Sequence, residues 1–351
     1  MKLQWLFVVG VFAMTNQVAQ GRWEDKIDVD SARHEVQVQL EPAQAFVPAT
    51  DNVWMTVTFV NGGADPVTLT NWFVPGEELD GQTFDVARNG QAVAYVGPLV
   101  KRGTPVSNDL IVLQPGEALS VRVDLSAFYD FSADGEYTVS YRARSSHLFG
   151  PDQVGAATLM SSPVAIAVQG NSGRLHALKA KPGTGAGSCS ATQQSTIASA
   201  IGAAKTMAAG AKTYLGGNAS GTPRYVTWFG AFTSSRWNTA EAHFVAIDDA
   251  FQTQNVVVDC SCKKSYYAYV YPTQPYKIYV CNAFWNAPLT GTDSKGGTLI
   301  HEMSHFNVVA GTDDWAYGQS AAKSLALSDP AKALDNADSH EYFAENTPAQ
   351  K

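Results

Sequence analysis

With 351 residues the chain has room for two ordinary domains, and with 45% hydrophobic and 16% charged residues it is globular rather than disordered or fibrous. Its net charge of −8 offers no basic surface for nucleic acid or an anionic membrane, so neither is expected as a partner.

Residues 1–20 read as a secretory signal peptide. Lys2 gives the positive start, Leu3 to Met14 is nearly continuous apolar chain too short to span a bilayer, and small and polar residues run to Ala19-Gln20. No later stretch reaches the roughly 20 apolar residues of a membrane helix, so a soluble, exported product is expected.

Residues 21–170 are expected to be all-β. Val36 to Leu40, Val53 to Val60, Val67 to Leu69, Val121 to Leu125, Tyr137 to Ala143 and Val164 to Val168 alternate with period two. Turn signals separate them at Asn61-Gly62-Gly63, Asn89-Gly90, Gln114-Pro115-Gly116 and Ala133-Asp134-Gly135. Short strands at this spacing predict an immunoglobulin-like β-sandwich. His34 and His147 stand alone and read as structural.

Gly, Ser, Pro and Lys then mark residues 171–188 as an exposed, cleavable linker. Residues 189–351 form the second domain, of α+β pattern. Ala191 to Leu215 and Thr239 to Gln254 read as helices, the second capped by Thr239, with His243 structural. Val256–Asp259, Tyr266–Tyr271 and Lys277–Val280 read as short strands, one of them a possible edge for an extended peptide. Phe284 and Trp285 are expected in a loop, and Pro330 to Asn346 as one helix. All four cysteines, Cys189, Cys260, Cys262 and Cys281, lie in this half. An exported chain with an even number suggests two disulfides, with a zinc cluster as the alternative; spacing does not fix the pairing.

The chemistry is carried by His301-Glu302-Met303-Ser304-His305. On a helix, residues four apart share a face about 6 Å apart, so both imidazoles reach one metal ion while Glu302 serves as general base. Zinc suits such nitrogen ligands. Leu299, Ile300, Phe306, Val308 and Val309 make the helix apolar, and polar groups inside a buried helix need partners. A hydrolytic zinc takes a third protein ligand and keeps one open position. Gly311 is expected to end the helix in a left-handed turn, after which Asp313 or Asp314 reaches the metal.

Gly311-Thr312-Asp313-Asp314-Trp315-Ala316-Tyr317-Gly318 resembles the Gly-Thr-x-Asp-x-x-Tyr-Gly pattern that follows His-Glu-x-x-His in the aspzincin (deuterolysin-family) metallopeptidases. The resemblance implies a single zinc ion on His301, His305 and Asp314, with Glu302 and Tyr317 catalytic, Tyr317 donating to the oxyanion. Asp338 to Asn346 is similar to the helix of peptidyl-Lys metalloendopeptidases in which an Asp and a Glu three apart bind the lysine just after the cut, which implies that role for Asp338 and Glu341. Spacing alone reads those two as a solvated acidic face. The peptidyl-Lys resemblance also implies the pairs Cys189–Cys260 and Cys262–Cys281. The expectation is a secreted zinc endopeptidase made as a latent precursor, cutting before lysine in peptide and protein substrates. Its own N-terminal domain would be inhibitor or folding assistant, and Leu178-Lys179 and Ala180-Lys181 the self-processing bonds. The alternatives are a deuterolysin-like enzyme without lysine selection, or a non-catalytic zinc-binding adhesin or toxin.

Overall fold

The computed structural model describes residues 36–76, 79–153, 156–173 and 189–351. The expected signal peptide, His34 and the linker lysines 179 and 181 lie outside the described residues. No helix of the described residues is long and apolar enough to cross a membrane.

The N-terminal half is β-rich. Its strands are β1 (Val36–Pro42), β2 (Phe46–Val47), β3 (Trp54–Asn61), β4 (Val67–Thr70), β5 (Phe84–Arg88), β6 (Gln91–Ala92), β7 (Leu99–Lys101), β8 (Leu110–Leu113), β9 (Ala118–Asp124), β10 (Gly135–Ser145), β11 (Ala157–Met160) and β12 (Val164–Val168). One sheet has the order β1-β3-β9 and a second β2-β12-β10-β5-β6, with β11 also on β10. Period-two patterning drives this. In β3, Met55, Val57 and Phe59 are fully buried while their neighbours are not. They share a core with Tyr137, Val139, Tyr141 and Ile166 of the second sheet, each large side chain contributing roughly 1.5–3 kcal/mol. Asn89 and Gly90 both have positive φ and close the two-residue β5–β6 hairpin, as their types allow. The Tyr137 hydroxyl donates back to the Ala133 carbonyl, 2.8 Å, pinning the start of β10.

The C-terminal half has a separate core of helices over a small sheet. Its first helix, α1 (Ala191–Leu215), opens with a reciprocal cap between Ser190 and Gln193. Ala200, Ala204, Ala208 and Ala211 form a small-residue stripe that lets neighbouring helices approach. Then come α2 (Pro223–Phe229), α3 (Ser234–Thr253), β13 (Val257–Asp259), β14 (Ala268–Val270), β15 (Lys277–Val280), α4 (Asn282–Asn286), α5 (Lys295–His305), α6 (Gln319–Ser328), α7 (Pro330–Leu334) and α8 (Ala337–Glu345). Disulfides join Cys189 to Cys260 and Cys262 to Cys281, tying α1 and the segment before β14 to the sheet.

Several expectations need correcting. The cap of α3 is Thr233, whose side chain accepts the Arg236 amide; the helix begins early because Trp237 is buried in the core. Phe284 and Trp285 sit in the short helix α4, not a loop. Residues Pro330 to Asn346 are two helices, broken at Asp335-Asn336. His243, read as structural, needs no such correction: it is paired with buried His340, Nδ1 to Nε2 at 2.9 Å, and burial pushes the two imidazoles down to about 4 and about 3.

One strand leaves its own half. β7 joins none of the three N-terminal sheets, the third being the two-stranded β4-β8; it pairs antiparallel with β14, Lys101 opposite Ala268, extending the sheet to β13-β15-β14-β7.

Candidate metal centre and lysine pocket

Helix α5 is buried along its whole length. Ser294 caps it, its hydroxyl accepting the Gly297 amide at 2.9 Å, and Glu345 of α8 holds Ser294 in turn through amide and hydroxyl. Gly297 is required here: a Cβ would collide with the Glu345 carboxylate. The helix ends at His305, where Phe306 turns extended. Gly311, at φ +62°, does not cap it as expected. It reverses the chain a few residues later, bringing Thr312 back over Ser304, hydroxyl to hydroxyl at 2.6 Å. The Thr312 carbonyl accepts the His305 Nδ1 proton at 2.6 Å, which leaves Nε2 as the free lone pair.

Two residues on, Asp314 Oδ1 lies 3.2 Å from His301 Nε2 and 3.4 Å from His305 Nε2; the two Nε2 atoms are 3.1 Å apart. Asp313 is outside this donor cluster: its amide and carbonyl bond Asp335 and Ala337, and burial beside Asp335 lifts its carboxyl to about 6. The turn is built by Asn336, whose Oδ1 accepts the amides of Trp315 and Ala316, both at 2.9 Å. The break between α7 and α8 exists where this side chain is needed.

The donor set fits a metal. His301, His305 and Asp314 offer atoms within 4.8 Å of one another, and the oxygens of Asp314 and Glu302 are buried without hydrogen-bond partners. Orphaned buried carboxylate oxygens cost several kcal/mol in order of magnitude, and a cation relieves that cost. Two imidazoles and one carboxylate form a zinc donor set that keeps a position open. Burial alone would raise the Asp314 carboxyl, but His305 and His301 hold it far below its ordinary range. Burial pushes Glu302 up to about 7. Tyr317 is buried beside Asp314, and burial raises its phenol well above 10.

Asp338 and Glu341 also belong to this centre, and are not a solvated face. Asp338 Oδ1 lies 2.8 Å from His301 Nδ1, within ion-pair distance, and its Oδ2 accepts the Gly318 amide at 2.6 Å, which sets a carboxylate behind a metal-facing imidazole. Both carboxylates surround the Lys101 ammonium, with Glu341 Oε2 at 2.6 Å and Asp338 Oδ1 at 3.4 Å. Lys101 is fully buried. Burial would lower its pKa, but Asp338, Glu341 and Asp293 raise it well above its ordinary value, so the amine is charged. Sequence reasoning missed Asp293, 3.4 Å from the ammonium, which also accepts the Tyr342 hydroxyl at 2.6 Å. The faces of Tyr267 and Tyr342 wall the pocket at 5.2 and 5.7 Å. Asn336 was missed too, although Asn336-Ala337-Asp338 has the composition of a helix start. Lys101 carried no local signal beyond an apolar Leu99-Val100 before it.

Substitution separates the two carboxylates. Asp338→Asn is expected to weaken zinc binding about 10- to 100-fold, because it loses the carboxylate that fixes His301. Glu341→Gln, whose Oε2 lies farther from His301 Nδ1 at 3.4 Å, is expected to leave zinc binding within a few fold. Zinc release to a chromogenic chelator measures both; equal losses would refute the division.

Residues 214–345 match the family described as lysine-specific metallo-endopeptidase, Aspzincin M35. An extracellular protease of Aeromonas hydrophila is 44% identical over 314 residues, 86% of this chain and 90% of that one. A peptidyl-Lys metalloendopeptidase of Armillaria mellea is 37% identical over 342 residues, 91% of this chain and 94% of that one. Among solved structures, a zinc peptidase from Grifola frondosa is 50% identical, with a TM-score of 0.45, covering 46% of this chain and 100% of that chain.

Proposed function

Because the chain belongs to the aspzincin metallo-endopeptidase family, we propose that it is a secreted zinc endopeptidase that cuts on the N-terminal side of lysine and is made with an inhibitory N-terminal domain. The observation that carries this reading is the Lys101 ammonium seated on Glu341, Asp338 and Asp293, beside an imidazole of the metal centre.

His301, His305 and Asp314 would hold zinc, which when bound would supply Lewis acidity for water and for the substrate carbonyl. The chain's own residues do the rest. The peptide lies antiparallel on β14, as β7 does, and its lysine ammonium enters the acidic pocket. That anchors the bond before the lysine at the centre. Glu302, unpartnered and with its carboxyl lifted to about 7, takes a proton from the attacking water at a carboxylate oxygen. Tyr317 donates its hydroxyl proton in a hydrogen bond to the carbonyl oxygen as that oxygen gains charge. The C–N bond breaks, and Glu302 passes its proton to the leaving amine of the lysine residue.

In this reading β7 inhibits by imitation. It occupies the substrate edge of β14 and fills the lysine pocket with a lysine of the same chain. Residues 21–170 are then the prodomain, 171–188 the processed linker and 189–351 the enzyme. The separate cores support that division. An immunoglobulin-like topology for the prodomain is supported by its sheet orders, by the parallel β2–β12 pair and by the Tyr137 hydroxyl bonding back to Ala133. Secretion is supported by the two disulfides and by the extracellular relative.

Mass spectrometry of a denatured protein digested with the matured enzyme tests the reading. New N-termini are expected to be lysine in nearly every product, and a zinc chelator to abolish them. A broad spread of N-termini would favour an enzyme without lysine selection.

A further inference from the structure

The strand that fills the site also carries the residue after the lysine. Arg102 follows Lys101, and the carbonyl between them accepts the Tyr267 amide at 3.1 Å, fixing where the next side chain emerges. Its guanidinium lies over the Tyr266 ring at 4.5 Å and over Trp72 at 5.0 Å, and it donates to the Asp80 carbonyl at 3.0 Å. Arg102 is buried there. Trp72 and Asp80 belong to the N-terminal half and leave with it; Tyr266 belongs to the enzyme and stays.

The Tyr266 backbone is held by the C-terminal half, while its hydroxyl donates to the Asp80 carboxylate of the N-terminal half. The Ala283 amide donates to the Tyr266 carbonyl at 3.0 Å, and the Cys281 amide to the Tyr267 carbonyl at 2.9 Å. The Cys262–Cys281 disulfide closes the same segment. The ring therefore stands on a backbone anchored in the C-terminal half, one residue beyond the lysine pocket, and only its hydroxyl contact to Asp80 leaves with the N-terminal half.

We propose that Tyr266 is a specificity-determining residue for the side chain that follows the lysine, and that it favours arginine there. This rests on the reading of β7 as a substrate mimic. The ring accepts the guanidinium plane by cation–π stacking, which a planar, weakly hydrated cation exploits best. Opposing charge is present: Lys263 and Lys264 are exposed on the same segment and would draw an acidic residue instead. The test therefore includes both signs.

Enzyme matured from the full chain is given three peptides that differ only after the lysine, carrying Arg, Ala or Glu. From the strength of such stacking, kcat/KM is expected to favour Arg over Ala about two- to thirtyfold. The ratio is expected to persist in Tyr266→Phe, which keeps the ring, and to fall to about one in Tyr266→Leu by loss of that same stacking. An Arg-to-Ala ratio of one in the unsubstituted enzyme, a preference for Glu, or an undiminished ratio in Tyr266→Leu would each overturn the assignment. Cleavage of all three peptides at bonds other than the one before lysine would instead overturn the substrate-mimic reading, and this assignment with it. The Phe variant separates loss of the ring face from loss of folding.

Discussion

Lys101→Ala in the intact, unprocessed chain is expected to raise hydrolysis of a short lysine-containing peptide by about two to three orders of magnitude over the unprocessed parent chain. The reason is the buried ion pair. Breaking one costs about 3–5 kcal/mol, and about 1.4 kcal/mol is a factor of ten. With no ammonium on it, the Glu341, Asp338 and Asp293 cluster repels itself, and the covered state loses that much relative to the open one. An incoming peptide then supplies the missing cation. The β7–β14 pairing and the Arg102 stack remain, so the gain stops short of full activity. Gel analysis of the same samples must show the chain uncut. If intact Lys101→Ala is as latent as its parent, the N-terminal half blocks the site by other contacts, such as Trp72 against Tyr317 at 6.3 Å.

Glu302→Gln is expected to lower kcat of the matured enzyme by about 10²- to 10⁴-fold with zinc content unchanged. The amide keeps the shape of a buried side chain that ligates nothing, so the centre should still bind its ion. What is lost is the base that moves a proton from water to the departing amine. The precursor of this variant is also expected to stay uncut at Leu178-Lys179 and Ala180-Lys181 when purified alone, if those bonds are self-processed. Native mass spectrometry gives the zinc count and peptide kinetics give the rate. Loss of zinc in step with activity would mean that Glu302 holds the ion instead of serving as base.

Much of the centre was legible because its parts are close in sequence. His301, Glu302 and His305 sit on one helix, and Asp314 and Tyr317 lie on the turn that follows it. Period-two patterning located β1, β3 and β12 because each buries one face against a partner sheet. The failures have a common cause: the deciding partner is remote. β7 is three residues long and is a strand only because β14, at residues 268–270, lies beside it. Lys101 has no meaning in its local sequence; Asp338 and Glu341 give it one. The helical pattern of residues 330–346 is locally sound, yet the chain breaks at Asn336 to hold Trp315 and Ala316. Gly311 signals a left-handed residue correctly but not which element it serves, since helix α5 has already ended at His305.

The cover that β7 gives β14 has a consequence for handling the enzyme. A strand stripped of its neighbour presents a row of bare amides and carbonyls, and such rows recruit other molecules into unwanted ribbons. The C-terminal half produced by itself would carry that exposed row throughout synthesis. The attached N-terminal half covers it through β7, so an expression scheme that omits that half is expected to favour clumping before catalysis is ever measured.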